Sequence, residues 1–380
     1  MMQYWKVDLV VYTPVFVGSG EIYNKLRYIY NSANETVSFL REEKWIAFLD
    51  KHGIMDDYAA ALLRGGKTFS LFGYLQNQAV LKKQYKTVWN VLAAMKKEGV
   101  IDREVDYFSL KEGKSPNDIA GLMRDVEGNP YIPGSSLKGA FRTAILSHEI
   151  RKSGSKYRSF WKKMAEKAGK KAEMARVIDE LERKLTIPDG EDMVKSYFRG
   201  LTVSDAIWKE GACCVAAKTD YSVGADDVHQ VALFRECLDK DSRLEFTVGI
   251  DEDECGMGHF GIRNLDDLIK VLQEFRDFQY DILEKPFEKD CKEEMAGIWD
   301  ADLFLGGGTG FLTKTLIYSL APDCKQAVEV TRKLLEKNTP HNHHHEKDRQ
   351  ISPHTLKLVS VEGYEYMMGL CYLENAEKLC

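Results

Sequence analysis

No stretch of the chain approaches the roughly 20 consecutive apolar residues that a bilayer-spanning helix needs, so no membrane span is expected. The opening MMQYWKVDLV lacks the basic-then-apolar layout of a signal peptide, and a cytoplasmic location is the expectation. Eight cysteines are scattered without a CxxC pair, which suggests neither a zinc ribbon nor a disulfide framework; they are expected as reduced, mostly buried thiols. Tandem repeats are absent too, and HNHHH at 341–345 is the one low-complexity tract.

What is present describes a folded protein. The 380 residues exceed the usual size of a single domain, so two compact domains with insertions are expected. A hydrophobic content of 44%, with 18 Tyr and 17 Phe, supplies packed cores and excludes disorder. The net charge of −6 counts against an autonomous nucleic-acid binder, because affinity for phosphate backbones comes from Lys and Arg. Charge is unevenly spread, however. Lys138 to Lys171 holds eleven Lys/Arg against Glu149 and Glu166, whereas Glu236 to Glu254 holds eight acids against Lys240 and Arg243. A basic stripe on an acidic protein points to one face for nucleic acid and other faces for partners or solubility.

Alternation of Trp5, Val7, Leu9 and Val11 predicts a strand over 4–12, and 27–40 reads as two short strands around an Asn/Ser turn. Residues 41–99 carry helical spacing broken by Gly. Extended character returns at 105–126, a helix starts at Ser135, and charged helical sequence runs over 156–184. Strands are expected at 200–206, 213–221, 244–250, 355–361 and 364–373, with helices at 264–285 and 324–337.

Three segments carry chemistry. In YIPGSSLKGAFRTA (131–144), Pro133 and Gly134 set a turn and Ser135 or Ser136 caps a helix whose free first-turn amides suit a phosphate. Lys138 and Arg142 share one face, while Gly139, Ala140, Thr143 and Ala144 keep the opposite surface thin. The residues alone fit a capped amphipathic helix with two solvated cations equally well. In FLGGGTGFLTKT (304–315), Gly306, Gly307, Gly308 and Gly310 around Thr309 expose backbone amides, Phe311 offers a ring to a base and Lys314 a charge to a phosphate. GxxxxGK[ST] and GxGxxG both fail there, which favours polymer phosphates over ATP or NAD. A tight bulged connection is the plain alternative. TPVFVGSGE (13–21), with Gly18, Ser19 and Gly20, is by itself a turn.

Taken in this order and spacing, the three segments resemble the RAMP superfamily of CRISPR proteins, and within it the capping subunits of type III-A (Csm) effector complexes. The resemblance implies an α+β fold of two ferredoxin-like (RRM-like) RAMP domains: residues 1–200 with helical insertions near 41–99 and 155–185, and residues 201–380 with the Gly-rich loop. It implies crRNA contacts at Gly134, Ser135, Ser136, Lys138, Arg142, Gly306–Gly310, Phe311 and Lys314, with Gly18–Gly20 as weaker additions. It further implies a non-catalytic role in antiviral defence at the crRNA 3′ end, with neighbouring backbone RAMP subunits and host nucleases for 3′ trimming as partners. No RNP1-like aromatic strand is present, so backbone gripping is expected rather than base stacking across a sheet. The alternatives are a RAMP-type RNA endonuclease and a pure protein scaffold. His52, His148, His229, His259 and His354 have no partner that spacing identifies, and His343, His344 and His345 sit in a polar, Pro-containing stretch. Asp251 to Glu254 reads as an exposed hairpin tip. No catalytic residue, metal site or cofactor is assigned.

Overall fold

In the first strand, β1 (Met2–Val11), Trp5, Val7, Leu9 and Val11 point inward as their alternation requires. β1 pairs antiparallel with β12 (Arg243–Asp251) on one side and with β16 (Leu370–Leu379) on the other. Beyond β12 lies β9 (Ala206–Glu210), also antiparallel. The helices Gly134–Lys152 and Leu265–Phe287 pack on this sheet through Leu137, Phe141, Ile145, Leu268 and Phe275. Along the chain this is strand, helix, two strands, helix, strand in the spatial order β16-β1-β12-β9, a ferredoxin-like split βαβ unit. Short strands β7 (Tyr131–Ile132), β8 (Leu201–Val203) and β13 (Leu303–Phe304) extend it to seven. Burial of Leu137, Phe141 and Ile145 contributes about 1.5–3 kcal/mol each.

The structure is a computed structural model that describes residues 1–379 except 67–68, 78–83, 110–115, 154, 225–228, 288–296 and 340–342. A second, nine-stranded sheet runs β2 (Gly18–Tyr23), β6 (Ile119–Leu122), β11 (His229–Leu238), β10 (Cys213–Ser222), β5 (Ile101–Phe108), β4 (Thr36–Leu40) and β3 (Tyr28–Asn31). β14 (Thr355–Val361) joins it on β10 and carries β15 (Tyr364–Met367). Its pairings β10–β5 and β11–β6 are parallel. Both sheets take strands from either side of residue 200, so the expected boundary at 200/201 does not separate one sheet from the other.

Among the described residues, the helices Glu42–Lys51, Met55–Gly65, Leu71–Asn77 and Val88–Lys97 lie between β4 and β5 and close their own core around Trp45, Phe48, Leu49, Tyr58, Leu75 and Met95. Helices Arg158–Glu166 and Lys171–Thr186 occupy the second insertion. Among the described residues no helix is long and apolar enough to cross a membrane. Cys214, Cys237 and Cys371 are buried, while Cys255 and Cys324 are exposed.

Three sequence readings change. The run 364–373 is not one strand: it breaks at Met368-Gly369, where φ at Gly369 is +81°, and its halves belong to different sheets. Glu236 is not part of an acidic surface but lies fully buried on β11. It accepts from Arg103 Nε at 2.6 Å and from Arg124 Nη2 at 2.6 Å, which ties β11 to β5 and to the segment after β6. That buried ion pair puts charge into strand sequence, and for this reason 229–238 was not legible as a strand. The Asp251–Glu254 run leads into a 3-10 turn at Met257–Phe260 rather than a hairpin, with the amino terminus against Asp251 and Asp253.

Candidate RNA-backbone interface

The three segments picked out in the sequence converge on one cleft of about 400 Å³. Phe16, Val17 and Gly18 form one wall, and Ser136, Gly139, Ala140 and Thr143 form the second. Gly306, Gly307, Thr309 and Lys314 form the third. The helix contribution is an i, i+3, i+4, i+7 stripe of small side chains, so the face predicted to be thin is the one that borders the cleft. A Cβ on Gly139 meets nothing within 4 Å. Ala144, by contrast, is buried.

Backbone hydrogen bonds fix the Gly-rich loop against the linker after β1. Gly307 N–H donates to Phe16 O at 2.7 Å, Leu305 N–H to Gly369 O at 2.7 Å, and Gly369 N–H to Pro14 O at 3.0 Å. Approach is so close at Gly306 that a Cβ would run into the Phe16 carbonyl, and φ there is +82°. Positive φ recurs at Gly308 and Gly310, the kind of backbone with which loops can build an anion-binding concavity. Among the described residues, the amides of Gly308 and Gly310 donate to no protein acceptor.

Lys314 borders the cleft, and Arg235 on β11 lies behind the same loop, outside the cleft lining but near enough for its charge to act on Lys314. Neither forms an ion pair among the described residues. Strand alternation sends Glu236 inward and its neighbour Arg235 to the opposite face. There the Arg235 guanidinium lies 5.3 Å from the Phe16 ring centroid, and its Nη1 would be 3.1 Å from a Cβ on Gly308. Burial, and then the Arg235 charge, hold the Lys314 ammonium below its usual range. Two cations that act on one another's charge and pair with no carboxylate among the described residues favour an anion. Sequence reasoning missed Arg235 and Phe16: no spacing links 16, 235 and 314, and only the second sheet brings β11 to the loop.

The helix start differs from expectation. Helical geometry begins at Gly134 with Pro133 as the cap, so Ser135 and Ser136 lie inside the first turn and cap nothing. Gly134 N–H donates to the Asp205 carboxylate at 2.7 Å, and Ser136 and Leu137 N–H both go to Pro133 O. Asp205 thus already supplies the negative charge that the helix dipole favours, and the phosphate site foreseen at this end is taken. Lys138 turns inward, donating from Nζ to Leu201 O at 2.6 Å and Phe198 O at 3.0 Å, and burial lowers its pKa. Arg142 pairs with Glu182 at 2.8 Å beside the Phe198 ring. Both lie on the face away from the cleft.

Much of the basic stripe is matched in the same way, since Lys163 pairs with Glu180 and Lys167 and Lys170 with Glu173, acids of the next helix. Gly18 borders the cleft, but Gly18–Gly20 open the edge strand β2 rather than a turn, and the Ser19 hydroxyl donates to Gly121 O. Phe311 faces a second cavity on the far side of the loop. His148 bonds Glu274 and His259 stacks on Tyr197 at 3.7 Å, while His354 meets His345 and Asp348.

A ferredoxin-like sheet, a glycine-rich loop laid over the strand-one linker and unpaired cations beside them define a RAMP-type architecture. The chain belongs to the RAMP superfamily, whose family model matches residues 8–312. It is 25% identical over 342 residues to the CRISPR system Cms protein Csm5 of Enterococcus italicus, covering 84% of this chain and 81% of that protein. The Csm5 of Streptococcus thermophilus is 23% identical over 327 residues, covering 82% and 80%. A chain of the cryo-EM structure of a Csm-crRNA-target RNA ternary complex of a type III-A CRISPR-Cas system superposes with a TM-score of 0.61 at 18% identity, covering 97% of this chain and all of that one. The family resemblance and the α+β fold read from the sequence are both borne out.

Proposed function

We propose that the chain is an RNA-binding, non-cutting subunit of a type III-A CRISPR (Csm) effector complex, which grips the crRNA backbone near its 3′ end and ends the row of backbone-type RAMP subunits. The observation that carries this is the convergence of three sequence-distant segments on one cleft lined by Lys314 and a thin helix face, beside the Arg235 charge and the free amides of the glycine loop. Such a surface reads phosphate spacing and charge, not bases, and leaves sequence specificity to guide–target pairing. The Csm5 relatives and the Csm-crRNA-target RNA neighbour support the assignment to that complex. Capping at the 3′ end, and host nucleases as trimming partners, follow from the subunit type that the motifs resemble.

Co-purification of the tagged chain from its host, with sequencing of bound RNA and identification of bound proteins, tests the reading. Short repeat-derived RNAs together with RAMP subunits are expected, with RNA crosslinks on the 306–314 peptide at the crRNA 3′ end. Free protein without RNA, or crosslinks confined to the crRNA 5′ end, would overturn it. Cleavage of target or precursor RNA by the purified chain in Mg²⁺, abolished by one point substitution, would replace it with an endonuclease.

A further inference from the structure

On the far side of the Gly-rich loop lies a cavity of about 510 Å³, bordered by Gly310, Phe311, Asp220, Lys357 and a group of histidines. There the chain between 345 and 354 doubles back, so that one donor atom each from His345, Asp348 and His354 lies within 4.8 Å of the others. His345 Nδ1 is 3.1 Å from Asp348 Oδ2, and His354 Nδ1 is 2.5 Å from Asp348 Oδ1. The Asp348 side chain is 0% exposed and that of His345 8%, whereas His354, at 26%, reaches the cavity.

A carboxylate shut off from water is kept by hydrogen bonds or a positive partner, and here the His345 and His354 Nδ1 atoms both sit at hydrogen-bond distance from it. The nearby Arg349 does not serve: its Nη1 donates to the carbonyls of Glu346 and Asp348 instead. Ser352 Oγ donates to Asp348 Oδ2 at 2.5 Å and orients the carboxylate without balancing its charge.

We propose that His345, Asp348 and His354 form a binding site for one divalent transition-metal ion of the Zn²⁺ class, held by two imidazole nitrogens and one carboxylate oxygen. The donor set decides the class, because imidazole suits Zn²⁺ and its neighbours while Ca²⁺ and Mg²⁺ take all-oxygen shells. Three protein ligands leave one coordination position free, and it opens toward the cavity. Ser352 then acts as the outer hydrogen-bond partner that fixes the carboxylate. The ion clips 345–354 into a closed loop. That loop is already seated on the core through Tyr318, whose hydroxyl donates to Ser352 O at 2.8 Å and accepts from Ser352 N–H at 3.0 Å. His343 and His344 border the same cavity but are not needed for the site.

The test uses the full chain with any affinity tag removed, stripped with a chelator and titrated with Zn²⁺ and with Co²⁺ as the spectroscopic probe. One ion per chain is expected, with the intense visible bands of four- or five-coordinate Co²⁺. Affinity should fall roughly 100-fold or more in His354→Ala and Asp348→Asn, and stay intact in the double variant His343→Ala/His344→Ala. Titration of the unaltered chain decides the matter even if a variant misfolds. No stoichiometric ion on that chain, or binding lost with His343 and His344 but kept without His345 and His354, would overturn the site. RNA takes no part in the experiment, so its outcome is separate from that of the crRNA reading.

Discussion

Replacing Lys314 and Arg235 together with Ala separates the cleft described above from the contacts that sequence alone suggested. Both cations are free of carboxylates, so each phosphate they meet releases condensed counterions. For single-stranded RNA each such contact contributes about 0.7 to the slope of log affinity against log salt, or about 1.4 for the pair. Between 50 and 200 mM salt, a fourfold change, the advantage of the unaltered chain over the double variant should therefore shrink about sevenfold. Lys138 is spent on the Leu201 and Phe198 carbonyls and Arg142 on Glu182. Lys138→Ala/Arg142→Ala should leave the slope unchanged and lower stability instead, by roughly 1–3 kcal/mol for the carbonyls left without a donor. Fluorescence anisotropy with an end-labelled, repeat-derived RNA across a salt series reads both variants. A slope unaltered in the Lys314/Arg235 variant, or flattened by the Lys138/Arg142 variant, would refute the placement of the interface.

Gly139 faces the cleft with open space at its Cβ, so Gly139→Leu should weaken RNA binding at least tenfold, while removal of a mid-helix glycine raises stability by about 0.5–1 kcal/mol; anisotropy and thermal melting check the two halves. Glu236→Gln breaks a fully buried ion pair and should cost about 3–5 kcal/mol, a fall in Tm of about 4–6 °C for a chain of this length unfolding as one unit. Burial alone raises the Glu236 carboxyl, but Arg103 and Arg124 override it and hold the group below its ordinary value. Its stabilising share is thus present above about pH 4.3 and lost as pH falls through the folded value. The stability gap between the two proteins, measured by urea unfolding, should be constant from neutral pH down to about 5 and narrow below that. Asp205→Ala removes the acceptor at the Gly134 helix start and should cost about 0.5–2 kcal/mol with little change in RNA affinity, since the anion there is intramolecular.

Local patterns determined much of this protein. Alternation located β1, glycine and helical spacing located the inserted helices, and the charged, 3.6-period run at 264–285 located the second sheet-packing helix, because each signal lies within a single element. The three glycine-bearing segments and their order were enough to point to the superfamily, and the small-residue stripe opposite Lys138 was legible from its spacing. Tertiary structure decided which cations remain free. Lys138 and Arg142 look available in sequence, but carbonyls and acids 40 to 63 residues away claim them. Arg235, beside a buried Glu236 in an unremarkable strand, becomes the unpaired charge at the loop. Only the fold unites His345, Asp348 and His354, and only the fold splits 364–373 between two sheets at Gly369. Hydrogen bonds and ion pairs are settled by which groups meet after the chain has alternated between its two sheets, and sequence distance carries no record of that meeting.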